Sequence, residues 1–143
     1  MVDILAFGVH PDDVELGCSG TLLKMKDMGY TFGIVDLTRG ELGSRGTAES
    51  RKSEAENAAR ILGAAFRVNL GMADGFFEIN KENILAIACQ VRKFKPRVVL
   101  ANAIHDRHPD HSRAAKLVSD ACFYSGLLKI DLQDELGNSL AVH

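Results

Sequence analysis

ILAFGVHPDD, residues 4–13, is an apolar run that ends abruptly in a histidine, a proline and two adjacent aspartates. A run with no polar alternation has no exposed face, so it reads as a strand buried on both sides, as in a parallel sheet flanked by helices. With that first strand taken as Asp3–Val9, similar runs follow at Thr31–Leu37, Phe66–Leu70 and Arg97–Asn102. Helix-like stretches alternate with them at about Leu16–Met28, Ala48–Leu62 and Glu82–Phe94, and a fourth runs from near Pro109 to about Tyr124. This order predicts a Rossmann-like three-layer α/β/α fold with a mostly parallel sheet.

Ala55, Ala58, Ala59 and Leu62 fall at helical spacing in the second helix, as do Ile84, Ile87, Ala88 and Val91 in the third. Gly29 and Gly63 are placed to end the first two helices, and Pro96 to stop the third. Residues 1–130 are expected to form one domain, and 131–143, which lack any period, an irregular tail.

The chain has 143 residues, 46% of them hydrophobic, enough for one core, and a formal net charge of −2. That balance offers no basic footprint for nucleic acid or an anionic membrane surface. No apolar stretch approaches the roughly 18 residues that cross a bilayer. Cys18, Cys89 and Cys122 are scattered through apolar helical patterns, which points to a reducing, cytoplasmic setting.

In the common doubly wound order the first and fourth strands are neighbours. His10, Asp12 and Asp13 would then face the cluster HDRHPDH, His105–His111, across one crevice. Each cluster alone has a plainer reading: HPDD as a turn with an aspartate cap, HPDH as a proline in a helix's first turn. Together they match two imidazoles and a carboxylate around a metal with an open position, a recurrent catalytic zinc set. His10, Asp13 and His111 make that set, and His108, three residues before His111 at a helix start, shares its face and stays free for catalysis. Cys18 reads as core, His105 as solvated loop and His143 as a disordered terminus. Arg39, Glu41 and Arg45, in the glycine-rich loop Thr38–Glu49, are placed either to hydrogen-bond a substrate or simply to be solvated. Neither a dinucleotide fingerprint nor a phosphate-binding loop is present, which argues against a nucleotide binder.

Taken in order, HPDDVELGCSG, DLTRGELGSRGTAESR, NLGMADGFF and AIHDRHPDH resemble the PIG-L/LmbE family of zinc-dependent N-deacetylases, over the chain to about residue 130. The TRGELG–RGT and NLGMADGFF stretches look most like the branch that deacetylates N-acetyl-α-D-glucosaminyl L-malate in bacillithiol biosynthesis. The resemblance implies zinc on His10, Asp13 and His111, with ferrous iron suited to the same ligands. It implies Asp12 as general base, His108 stabilising the tetrahedral intermediate or assisting the leaving amine, and Asp110 orienting that histidine. Arg51 matches a substrate-binding arginine, with Arg39 a further candidate. The expected partner is a small-molecule amino-sugar conjugate, and the expected assembly a homo-oligomer. Chains of that family run further, so the C-terminal part of the family domain is expected to be missing here, and a metal-binding remnant without turnover is the alternative reading.

Overall fold

The computed structural model describes residues 1–143. Strands β1 (Ile4–Gly8), β2 (Phe32–Thr38), β3 (Arg67–Met72) and β4 (Val98–Leu100) form one parallel sheet in the order β3-β2-β1-β4. Helices α1 (Asp13–Asp27), α2 (Ala48–Leu62), α3 (Lys81–Phe94) and α4 (Pro109–Ser125) alternate with them, giving the expected three layers.

Every residue of β1 and β2 is buried, because successive side chains feed two different cores. Leu5, Phe7, Val9, Val35 and Leu37 join Ile87, Val91, Leu117 and Val118 of α3 and α4. Ile4, Ala6, Phe32 and Ile34 join Val14, Leu22 and Leu62 of α1 and α2. Each large side chain so buried contributes about 1.5–3 kcal/mol.

Where the boundaries differ from the sequence reading, local hydrogen bonds explain the shift. Helix α1 begins at Asp13 rather than near Leu16, because Asp12 N–H and Asp13 N–H already donate to the His10 carbonyl (2.8 and 3.2 Å) and Leu16 N–H to that of Asp12 (2.9 Å). Asp13 thus sits in the helix's first turn. Helix α2 opens on a reciprocal cap between Thr47 and Ser50 and closes at Gly63 with φ +71°. Strand β4 is shorter than expected and pairs only with β1, leaving Val98 49% exposed at an open sheet edge.

The tail is irregular but packed. Leu132 is buried, and the buried Arg92 guanidinium of α3 donates to the carbonyls of Ser125 (2.8 Å), Leu127 (2.8 Å), Ile130 (2.7 Å) and Leu140 (3.3 Å). His143, expected to be disordered, instead lies with Nε2 2.6 Å from the Pro96 carbonyl. No helix is long and apolar enough to cross a membrane.

Arg92→Met keeps the buried methylene stem but strands four carbonyls, so it should lower the unfolding free energy by about 2–4 kcal/mol in urea titration. Lys93→Ala, next to it on an exposed ion pair with Glu135, should cost no more than about 1 kcal/mol. Equal losses in the two variants would refute the role given to Arg92.

Candidate active site

Parallel pairing puts the carboxyl ends of all four strands on one edge, and the loops that leave them enclose a cleft of about 380 Å³. His10, Asp12 and Asp13 enter it from the β1–α1 turn, Arg51 from α2, Asp74 from the β3–α3 loop, and His108, Asp110 and His111 from the start of α4. The two distant histidine clusters therefore meet: the His10 ring lies 5.0 Å from that of His108 and 5.7 Å from that of His111.

Asp13 is held by backbone. Its Oδ2 accepts N–H groups from Val9 (2.9 Å) and His10 (3.1 Å) and the Asn102 amide (3.0 Å), while Oδ1 faces His111 Nε2 at 3.4 Å. His111 Nδ1 is tied to Asp106 Oδ2 (3.0 Å), which leaves Nε2 to point into the cleft. His108 caps α4: its Nδ1 accepts the Asp110 N–H (3.3 Å), so the neutral ring carries its proton on Nε2. The plainer reading of HPDH as a helix start is thus fulfilled, with Pro109 the first residue of α4.

Two overlapping triads, His10–Asp13–His111 and His10–His108–Asp110, each bring three donor atoms within 4.8 Å of one another. The first fits a metal better. Asp13 keeps one oxygen free of N–H donors, and His111 has the carboxylate support usual for a ligating imidazole. Both oxygens of the buried Asp110 are already engaged, by Gly75 N–H (3.0 Å) and by Arg113 Nη1 (2.9 Å).

The charges are mutually adjusted. Burial opposes a charge on His10, but the Asp13 and Asp74 carboxylates outweigh it and raise its pKa above the ordinary imidazole value. Burial likewise works against the Asp13 carboxylate, yet bonds from His10, its backbone and Asn102, with the charge of His111, hold its pKa well below the usual range. His108 N–H and the His111 ring hold Asp106 low as well.

The structure places two of the expected residues in more detail. Asp110 meets His108 through its main-chain N–H, because its carboxylate is drawn to Gly75 and Arg113. Arg39, just past the end of β2, does not line the histidine cleft; it is exposed over a neighbouring cavity of about 560 Å³ with Pro11, Lys52 and Asn69. Arg51 does line the cleft, with Nη2 3.8 Å from Asp12 Oδ2. Three supporting residues went unassigned in the sequence reading: Asp74, 3.0 Å from His10 Nε2, Asp106 and Asn102. All three lie at carboxyl ends of strands, the one signal available for them.

Comparison with known proteins gives consistent results. The family model described as PIG-L, GlcNAc-PI de-N-acetylase, matches residues 5–122. The uncharacterized deacetylase YaiS of Escherichia coli is 30% identical over 125 residues, covering 83% of this chain and 67% of that protein. Diacetylchitobiose deacetylase of Thermococcus kodakarensis is 30% identical over 141 residues, 92% of this chain and 53% of that protein. The crystal structure of the conserved protein TT1542 from Thermus thermophilus superposes with a TM-score of 0.88 at 49% identity, over 94% of this chain and 61% of that one. This chain therefore spans about half to two-thirds of the length of these relatives.

Because folded His10 binds its proton more tightly than an unfolded histidine, its contribution to stability is complete below about pH 6.5 and is lost as pH rises through the folded value. In chelator-treated protein the urea midpoint should fall as pH rises above about 6.5, and His10→Gln should flatten that fall. An identical slope in the variant would exclude this assignment.

Proposed function

The chain belongs to the PIG-L family, and on that footing we propose that it is a cytoplasmic, metal-dependent N-deacetylase of an N-acetylglucosamine conjugate, with zinc or ferrous iron as cofactor. The observation that carries the reading is the division of labour within HPDD. Asp13 is locked by N–H donors and faces the histidines, whereas Asp12 beside it is half exposed in the same cleft and makes no cap bond. Three free cysteines, whose thiol pKa values burial raises, accord with a reducing compartment.

His10, Asp13 and His111 would hold the ion, which when bound supplies Lewis acidity for an amide carbonyl and makes water acidic enough to attack near neutral pH. Asp12 accepts the proton of the attacking water as its oxygen bonds to the carbonyl carbon. The His108 Nε2–H donates where negative charge develops on the former carbonyl oxygen. As the C–N bond breaks, the nitrogen takes up the proton and leaves as a free amine, and the acyl group leaves as acetate. Arg51 offers a planar fork of N–H donors to a hydroxyl pair or a carboxylate. The finer assignment is N-acetyl-α-D-glucosaminyl L-malate, as in bacillithiol biosynthesis; the TRGELG–RGT and NLGMADGFF stretches favour it, and Arg51 suits the malyl carboxylate. A homo-oligomer accords with the open edge of β4.

Metal analysis of the purified protein should find about one zinc or iron per chain, lost in both His10→Ala and His111→Ala. Asp12→Asn should retain the metal and lower kcat by about 10²–10⁴-fold. Amine release should be faster from the malate conjugate than from N,N′-diacetylchitobiose. Metal-bearing protein that releases amine from neither would leave the reading of a remnant without turnover.

A further inference from the structure

Arg51 faces the cleft without a close side-chain partner. Its side chain is only 23% exposed, yet its nearest carboxylate, Asp12, is 3.8 Å away. Packing rather than hydrogen bonding holds it in place, and that packing is made by two glycines. A Cβ on Gly40 would lie 2.0 Å from Arg51 Nη1 and 3.3 Å from Pro11 Cδ. A Cβ on Gly43 would lie 3.3 Å from both Arg51 Cζ and Nη2, and 3.1 Å from the Gly40 carbonyl.

We infer that Gly40 and Gly43 are positioning residues, whose missing side chains form a slot that presents the Arg51 guanidinium beside Asp12 to a carboxylate or a hydroxyl pair of the substrate. The slot has fixed walls. Gly40 and Gly43 close a turn through the Gly43 N–H and the Gly40 carbonyl (3.0 Å), and the Gly40 N–H is held by Thr38 Oγ1 (3.1 Å). Between them, Leu42 N–H donates to Asp74 Oδ2 (2.9 Å) while Asp74 N–H donates to Glu41 Oε1 (3.0 Å), so the turn is pinned to the next loop. On the other side the capped start of α2 fixes the Arg51 backbone, whose N–H donates to the Thr47 carbonyl (2.9 Å). A guanidinium so confined, with its N–H donors free, loses little freedom when an oxygen pair docks against it.

The inference rests on the deacetylase reading for the substrate, so its test has one arm that does not. Gly40 has φ +64°, where any side chain strains the backbone; Gly43 is not in that left-handed region, which makes Gly43→Ala the informative variant. In the NMR spectrum, the Arg51 Nε–Hε resonance, identified by its loss in Arg51→Lys, should show backbone-like order in the wild type and clear loss of order in Gly43→Ala. In turnover of the malate conjugate, Gly43→Ala should raise KM about tenfold while kcat changes less than about threefold, and should have no further effect in an Arg51→Ala background. Unchanged Arg51 order, or an equal cost of Gly43→Ala with and without Arg51, would overturn the inference. Absence of turnover in the wild type would defeat the deacetylase reading, and the NMR arm would still decide the slot.

Discussion

A single carboxylate oxygen fastens the fold to its site. The first strand ends with the N–H groups of Val9 and His10 facing no further strand, and buried amides of this kind must find acceptors. Asp13 Oδ2 takes both, and also the amide of Asn102, whose own Oδ1 accepts the Val9 N–H at 3.2 Å. Through that oxygen the exit of β1, the first turn of α1 and the segment after β4 are locked together. Its partner Oδ1 then has one direction left, toward His111. The arrangement that closes the sheet therefore also orients a potential ligand, and neither could shift without the other.

The remaining loops are tied to this centre in series. The β2–α2 loop is joined to the β3–α3 loop through Glu41 and Asp74, and the latter to α4 through Gly75, Asp110 and Arg113. Asp74 reaches back to His10 at 3.0 Å. His10, Asp13, Asp74 and Asp110 are each thereby braced by a hydrogen bond to a different element, the kind of support that holds a reactive geometry to a fraction of an ångström.

How much of this could be read from the sequence follows from what each signal measures. Apolar periodicity reports burial, so the four strands, the four helices and the adjacency of β1 and β4 were accessible. The pairing of His10, Asp13 and His111 followed from strand order and ligand chemistry. Hydrogen bonds between loops have no period. Nothing in the residues around Asp74 or Asp106 indicates that the first meets His10 and the second meets His111. For the same reason the tail looked structureless, since its ties run through main-chain groups that any residue type would supply: the Leu140 carbonyl accepts from Arg92, and the Leu140 N–H donates to the Leu132 carbonyl. The placements of Arg39 and Asp110 were not legible either, because a motif specifies residue identity, while orientation depends on where a strand ends and which N–H groups are nearest.

The cleft holds four carboxylates, and their environments differ more than their chemistry. Asp13 accepts three N–H bonds, Asp110 is bonded to Gly75 and Arg113, and Asp74 to Leu42 and His10. Each of these bonds occupies a lone pair that would otherwise be open to a substrate or a water. Asp12 has only a distant guanidinium for company and half of its side chain in solvent. A carboxylate that takes a proton from an attacking water must have an oxygen within reach of that water. That is why the proposed proton transfer is put on Asp12, and why two aspartates adjacent in sequence can serve one cleft in different ways: one fixed by the backbone, the other with its oxygens open to the cleft.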